Sequence, residues 1–168
     1  MRLYFEVTDQ RPPDVSIRRW RTFNRDAMAE VGNLYDDVFK MRHFEPGASS
    51  RYGYRPRTPA HIARKAKAVA RNSFTVSPDA NRDLIFSGAL RKAVKMKHLP
   101  RAFPTRVTVN MPTPSYAQMK PRRPNMPNLG DEIVRVTNDE MGEMERAYKA
   151  SLEHDLNSYR EPKTTRIG

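Results

Sequence analysis

The chain has 168 residues and a formal net charge of +12, from 31 Lys and Arg against 19 Asp and Glu. No apolar run approaches the roughly 20 residues that a helix needs to cross a bilayer, so we exclude a membrane-spanning protein. The absence of cysteine excludes disulfides, thiolate metal sites and a cysteine nucleophile. No apolar segment typical of a signal peptide follows the first residues, so we expect no secretory signal.

The positive charge is concentrated in the middle of the chain. Between Arg42 and Arg106 there are fifteen basic and three acidic residues, whereas the rest of the chain has sixteen of each. Such a block is typical of contact with phosphate or with an acidic partner surface, and a solvated face that keeps the protein soluble is the alternative. The candidates for a DNA-facing surface are Arg51, Arg55, Arg57, Arg64, Lys65 and Lys67.

The N-terminal part predicts a strand followed by a long helix. Apolar and polar residues alternate over residues 3–7, the pattern of a short strand. From Ile17 to Arg42, large apolar residues recur at steps of three and four, which predicts one amphipathic helix whose stripe packs on a sheet. Gly32 weakens this helix locally.

The basic block contains a second helix and a hairpin. Thr58 is suited to cap a helix that runs from Pro59 to Arg71. Ser87 is suited to cap a helical turn at residues 89–94. Alternating apolar residues then predict a hairpin with one arm at residues 94–98 and the other at residues 105–111. For Tyr52 and Tyr54 we favour packing over stacking on nucleic-acid bases.

The C-terminal part predicts a proline-rich arm, a strand and a helix. Five prolines within residues 112–129 exclude regular structure and favour an extended arm or long loop. Ile133 to Val136 predict a short strand, and Thr137 with Glu140 forms the capping box of a helix that reaches Tyr159. We therefore expect a single domain over residues 1–161 and a flexible tail over residues 162–168.

No motif for chemistry is present in the sequence. The four histidines show no zinc-binding spacing, and the chain has neither a nucleophile elbow nor a phosphate-binding glycine loop. The basic block holds too few carboxylates for a two-metal nuclease. We therefore predict that the protein is not an enzyme and has no catalytic, cofactor or metal site.

Two segments of the chain resemble a known family, and the predicted final strand and capped helix from Glu132 to Tyr159 resemble the ending of the same family. The first runs from Arg42 through Arg51-Tyr52-Gly53-Tyr54-Arg55-Pro56-Arg57, and the second is Leu84-Ile85-Phe86-Ser87-Gly88-Ala89-Leu90-Arg91. An apolar triplet followed by Ser-Gly-x-Leu-Arg is similar to the recurring motif of the virion-morphogenesis proteins of tailed bacteriophages, which complete or terminate the tail at the neck. The resemblance covers roughly residues 17–159, whereas residues 1–12 and the proline-rich arm depart from the family's simplest pattern.

The resemblance implies an α+β subunit in which long N-terminal and C-terminal amphipathic helices pack on an antiparallel sheet. It implies a homo-oligomeric ring, commonly six-fold, in the neck of a virion assembled in the bacterial cytoplasm. Its partners would be other neck, connector and tail-tube proteins, with DNA in the channel or an acidic ring facing the basic block. The expected interface residues are Ser87, Gly88, Leu90, Arg91, Tyr116, Lys120, Arg122 and Arg123.

A free nucleic-acid-binding protein is the alternative function. Its basic middle block would bind the phosphate backbone, and the isolated monomer would bind DNA or RNA with a steep dependence on salt. The proline-rich arm and the scattered methionines favour the neck protein, whereas the basic block fits both functions.

Overall fold

The computed structural model describes residues 2–6, 11–12, 14–71, 88–118 and 128–160. The strands are β1 (Arg2–Glu6), β2 (Arg101–Phe103) and β3 (Arg106–Asn110). The helices are α1 (Ile17–Leu34), α2 (Lys40–Arg42), α3 (Ala48–Arg51), α4 (Pro59–Ala70), α5 (Ala89–Lys95), α6 (Ser115–Gln118), α7 (Leu129–Glu132) and α8 (Asn138–Arg160). A π-helical turn, Tyr35–Phe39, joins α1 to α2. This arrangement is an α+β fold, as predicted.

The three strands form one antiparallel sheet in the order β1-β3-β2. The predicted N-terminal strand is present as β1, and it pairs with β3 so that Phe5 lies opposite Val107. Val107 and Val109 are completely buried because this face of the sheet meets α1. One face of the sheet is therefore covered by a helix, an arrangement that is common for antiparallel sheets.

Helix α1 occupies the middle of the fold. Its apolar stripe is buried at Phe23, Ala27, Met28 and Val31, and the helix contacts both the sheet and α8. The predicted helix from Ile17 to Arg42 is thus one continuous helical run through the π-helical turn. Ser16 caps its start by accepting a hydrogen bond from the amide of Arg19.

Helix α8 begins at the predicted capping box. The amide of Glu140 donates to Oγ1 of Thr137 at 3.2 Å, and the amide of Thr137 donates to the Glu140 carboxylate at 3.1 Å. The helix buries Met144, Tyr148 and Leu152. It completes the core chiefly by packing along α1, which itself covers the sheet.

The predicted hairpin is present, but its first arm begins later in the chain than the sequence pattern predicts. Residues 94–98 are not a strand, because they end α5 and then lie against the π-helical turn. There Nζ of Lys40 donates to the carbonyl of Met96 at 2.7 Å, and the amide of His98 donates to Asp36 at 3.0 Å. Backbone groups held by buried side chains are unavailable for pairing with β3, so β2 begins only at Arg101.

Two predictions for the C-terminal part are corrected. The residues Ile133 to Val136 do not form a strand but a turn after α7, in which the amide of Ile133 donates to the carbonyl of Leu129. Within its described residues the proline-rich segment contains a single helical turn, α6, which lies in the stretch of six residues without proline between Pro114 and Pro121. Its residues 119–127 lie outside the described residues.

Candidate functional site

Two buried glutamates hold the segment from Tyr52 to Arg57. Glu140 accepts a hydrogen bond from Oη of Tyr52 at 2.6 Å. Glu132 accepts two bonds from the guanidinium of Arg57, at 2.6 and 3.1 Å, and a third from the amide of Arg55 at 3.1 Å. The first half of the basic block is therefore fixed to the C-terminal part of the chain by charge-assisted hydrogen bonds.

Three stacked rings fill the space beside these glutamates. His43 lies parallel to Tyr52, with ring centroids 3.9 Å apart, and its Nδ1 is hydrogen-bonded to Oη of Tyr54. Burial lowers the pKa of His43 to about 4 and raises the pKa of both tyrosines. The rings are therefore neutral near pH 7. The burial of both tyrosines agrees with the packing role favoured from the sequence.

A second buried cluster lies at the π-helical turn. Asp36 accepts a hydrogen bond from Nζ of Lys40 at 2.6 Å, and its Oδ1 lies 3.0 Å from Nδ1 of His98. Burial alone would raise the pKa of Asp36, but the hydrogen bonds from Lys40 and His98 outweigh it and hold that pKa below its ordinary value. Because the cluster also fixes the backbone at Met96 and His98, it determines where the segment after α5 lies.

The predicted interface residues fall in different surroundings. Gly88 is buried with φ of +78°, a left-handed conformation that favours glycine, and it precedes α5 at the cap position predicted for Ser87. Leu90 is buried in the core, and Arg91 is half-buried. Tyr116 belongs to α6. The remaining residues of this prediction, Ser87, Lys120, Arg122 and Arg123, lie outside the described residues.

The six basic candidates divide into two groups. Exposed side chains are found at Arg51, Arg55, Arg64 and Lys67. The side chain of Arg57 is only 4% exposed because Glu132 binds it, and Lys65 is only 2% exposed. We therefore correct the prediction for these two residues: in this fold their charged groups do not face solvent and are not available to DNA.

Two surface features were missed in the sequence. Met96 and Leu99 are exposed by 62% and 87%, although the sequence pattern predicts that Met96 lies in a strand. Arg101, Phe103 and Arg106 lie together on the hairpin of β2 and β3, where the sequence pattern indicates no site. The proline before Arg101 and the Phe-Pro pair after it indicated the turn, but the pairing register that groups these side chains depends on where β2 begins.

Two further kinds of site are absent from the parts of the chain that the structure describes. Among the described residues, no helix is both long and apolar enough to cross a membrane. Within the same parts of the chain, no group of three or more His, Asp or Glu side chains is arranged to hold a metal ion.

The fold and its surfaces define a small basic α+β protein whose buried charges fix its own segments. Comparison with known proteins identifies no relative of this chain. No family model, no curated protein and no solved structure matches the chain.

Proposed function

We propose that this chain is a structural protein of the bacteriophage neck, which forms a ring at the junction of head and tail and acts by binding alone. The resemblance of the motif from Leu84 to Arg91 supports this proposal. The ring would complete or terminate the tail and join it to the connector. It would be assembled in the host bacterial cytoplasm and remain in the virion, without a cofactor or catalysed reaction.

The observation that carries the proposal is the exposed apolar segment at Met96 and Leu99. Large apolar side chains exposed together on a protein of mean hydropathy −0.82 are typical of a surface that a partner covers. Val38 on the π-helical turn is a further exposed apolar residue, and its neighbour Asp37 forms an ion pair with Lys97 at 3.4 Å. The three apolar side chains therefore belong to adjoining segments.

The segment that carries Met96 and Leu99 is held in place before any partner binds. The bonds from Lys40 to the Met96 carbonyl and from the His98 amide to Asp36 fix its backbone. A surface that is ordered in advance loses little conformational entropy on association, which favours binding. We expect this surface to contact a different patch on a neighbouring copy, since head-to-tail contacts of this kind form a ring when the rotation between copies closes.

Electron microscopy and mass photometry of the purified full-length chain test this proposal. We expect closed rings of uniform size, and we expect their loss when both apolar residues are replaced in Met96→Ser/Leu99→Ser. Ile62→Ser is the matched control, because Ile62 is an apolar residue that is 49% exposed on a different element, α4. Circular dichroism should show that both variants remain folded.

Two results would contradict the proposal. The first is a wild-type chain that stays monomeric at the highest concentration reached, alone and with tail tubes added. The second is equal loss of rings in Ile62→Ser and in the double variant, which would show that the segment has no particular part in assembly.

A free nucleic-acid-binding protein is the second candidate function. The exposed side chains of Arg51, Arg55, Arg64 and Lys67 favour it, because they leave much of the basic block at the surface. This function predicts a monomer that binds nucleic acid tightly without forming rings. The two candidates therefore differ in the oligomeric state of the purified chain.

A further inference from the structure

The face of the sheet that points away from α1 carries a group of cations around one aromatic ring. Phe103 and Arg106 are direct partners in the pairing of β2 with β3, so their side chains lie on the same face. Arg101 precedes Phe103 by two residues and shares that face. Val107, the residue after Arg106 on β3, points the other way and is buried against α1.

Both guanidinium groups lie over the ring of Phe103. The guanidinium carbon of Arg101 is 5.2 Å from the ring centroid, and that of Arg106 is 5.0 Å from it. Such cation–π contacts restrain the two long side chains while both arginines remain exposed. Arg101 and Arg106 are therefore partly ordered for binding before a ligand arrives.

Among the described residues, no carboxylate neutralises either guanidinium. Over the described residues, no carboxylate lies within 4.0 Å of Arg101 or Arg106. Glu6 is the cross-strand neighbour of Arg106 on β1, but the structure shows no ion pair between them. The donors of both arginines are thus open to an anionic partner, and a guanidinium can bind a phosphate through two parallel hydrogen bonds.

We infer that this face of the sheet binds the phosphate backbone of duplex DNA. Both guanidiniums lie about 5 Å from one ring centroid, so they are at most about 10 Å apart. Over that length duplex DNA presents several phosphate charges, one per about 1.7 Å of its axis, which suits two neighbouring cations on a chain of net charge +12.

The same geometry makes the binding independent of base sequence. The arginines already lie over the ring of Phe103, so the ring is not open for stacking on a base, as single-strand binding requires. Contacts from guanidinium groups to phosphates position a protein on DNA without specifying bases. Arg101 and Arg106 would bind DNA in this way under either candidate function. Their binding requires no ring-shaped oligomer, so this inference does not rest on the proposal of a neck protein.

Fluorescence anisotropy with a labelled duplex of arbitrary sequence tests the inference. The full-length protein would be titrated at several salt concentrations between about 50 and 200 mM. We expect Arg101→Gln/Arg106→Gln to lower the affinity about tenfold or more. The slope of log K against log salt should become shallower by about two, since two phosphate contacts are lost.

The matched control is Arg18→Gln/Arg21→Gln, which removes the same charge from exposed positions of α1. We expect it to retain most of the affinity. Phe103→Leu keeps both charges but removes the ring, so we expect affinity to fall a few-fold with an unchanged salt slope. Circular dichroism of each variant would establish that the sheet remains folded.

Three outcomes would overturn the inference. The first is an equal loss of affinity in both charge variants, which would mean that net charge alone attracts DNA. The second is competition by a polyglutamate peptide as strong as that by unlabelled duplex, which would assign the face to an acidic protein. The third is a clear preference for single-stranded DNA. Each of these outcomes is measured at low protein concentration and does not require ring-shaped oligomers. The DNA-binding result can therefore be interpreted even if the protein forms no rings.

Discussion

Oη of Tyr52 donates a hydrogen bond of 2.6 Å to Oε1 of Glu140, a residue 88 positions further along the chain. The other oxygen of the same carboxylate accepts the amide of Thr137 and so closes the capping box of α8. One buried side chain therefore both completes the cap of the C-terminal helix and holds Tyr52, in the first half of the basic block. The conformation around Tyr52 and the start of α8 therefore depend on the same buried carboxylate.

Replacing this carboxylate should destabilise the protein. Glu140→Ala removes the half of the capping box in which the carboxylate accepts the amide of Thr137, and it leaves Oη of Tyr52 without its acceptor, so we expect a loss of about 2–4 kcal/mol in the free energy of unfolding. Urea denaturation followed by circular dichroism measures this loss. Glu153→Ala, on the exposed side of α8, should change stability by less than about 0.5 kcal/mol. Similar losses in both variants would contradict the double role of Glu140.

The buried ion pair of Arg57 with Glu132 gives a second prediction. Glu132→Ala leaves a buried guanidinium without its carboxylate, which should cost about 3–5 kcal/mol of stability. The double variant Arg57→Met/Glu132→Leu removes both charges and should recover a large part of that loss.

Chemical denaturation of the single and double variants checks this coupling. Lys67→Ala serves as the control, because Lys67 is exposed on α4 and its loss should be nearly neutral. If the double variant proves less stable than Glu132→Ala alone, the unpaired charge is not the cause of the destabilisation.

Local patterns were sufficient to predict several elements. The apolar stripe predicted α1, Thr58 and Pro59 predicted α4, and the pair Thr137 and Glu140 predicted the start of α8. In each case the signal lies within a few residues, so it depends on helix geometry alone. The same holds for β1, whose alternation shows which residues face the core.

Long-range contacts explain what was missed. The partner of Arg57 lies 75 residues away at Glu132, so nothing near Arg57 indicated that this cation would be buried rather than face DNA. Likewise, the local sequence around Met96 predicts a strand. In the structure this strand does not form, because Lys40, which follows the π-helical turn, binds the carbonyl of Met96. The spacing of residues within one segment cannot reveal a partner on another segment. For this reason the exposure of Arg57 and the structure at Met96 were both predicted wrongly.

The buried ring of His43 predicts a dependence of stability on pH. Burial lowers the pKa of His43 from 6.5 to about 4, so the folded protein holds this ring neutral while the unfolded chain protonates it. Stability should therefore be full above about pH 6.5, fall as the pH decreases to about 4, and change little further from this residue below that value. The lowered pKa of His43 contributes about 3 kcal/mol in total to the free energy of unfolding at neutral pH.

The pH dependence can be assigned with two variants. Urea midpoints measured from about pH 7 to about pH 4 should fall in the wild type and stay much flatter in His43→Phe, which has no proton to bind. His154→Phe, at an exposed position on α8, should keep the wild-type slope. The contribution of Asp36, whose pKa is lowered, is lost only below its ordinary value of 3.8 and so falls outside this range. An unchanged slope in His43→Phe would refute the assignment.

Replacing Gly32 and Gly142 by alanine compares the effect of close packing on stability with the effect of helix propensity. The sequence suggested only that Gly32 weakens α1, but a Cβ at this position would lie 2.5 Å from Cβ of Pro100 and 2.8 Å from Cγ2 of Val107. Gly32→Ala should therefore destabilise the protein by about 1–3 kcal/mol, because the clash with the β2–β3 segment outweighs the gain in helix propensity.

At Gly142 the nearest atom to an added Cβ is Nη1 of Arg146 at 3.7 Å, an ordinary contact with a flexible side chain. Gly142→Ala should raise stability by up to about 1 kcal/mol, since alanine restricts the unfolded chain and favours α8. Thermal unfolding of the two variants under one set of conditions compares them directly. The opposite signs follow from where each helix meets its neighbours, so a stabilising Gly32→Ala would mean that α1 does not approach Pro100 as closely as described.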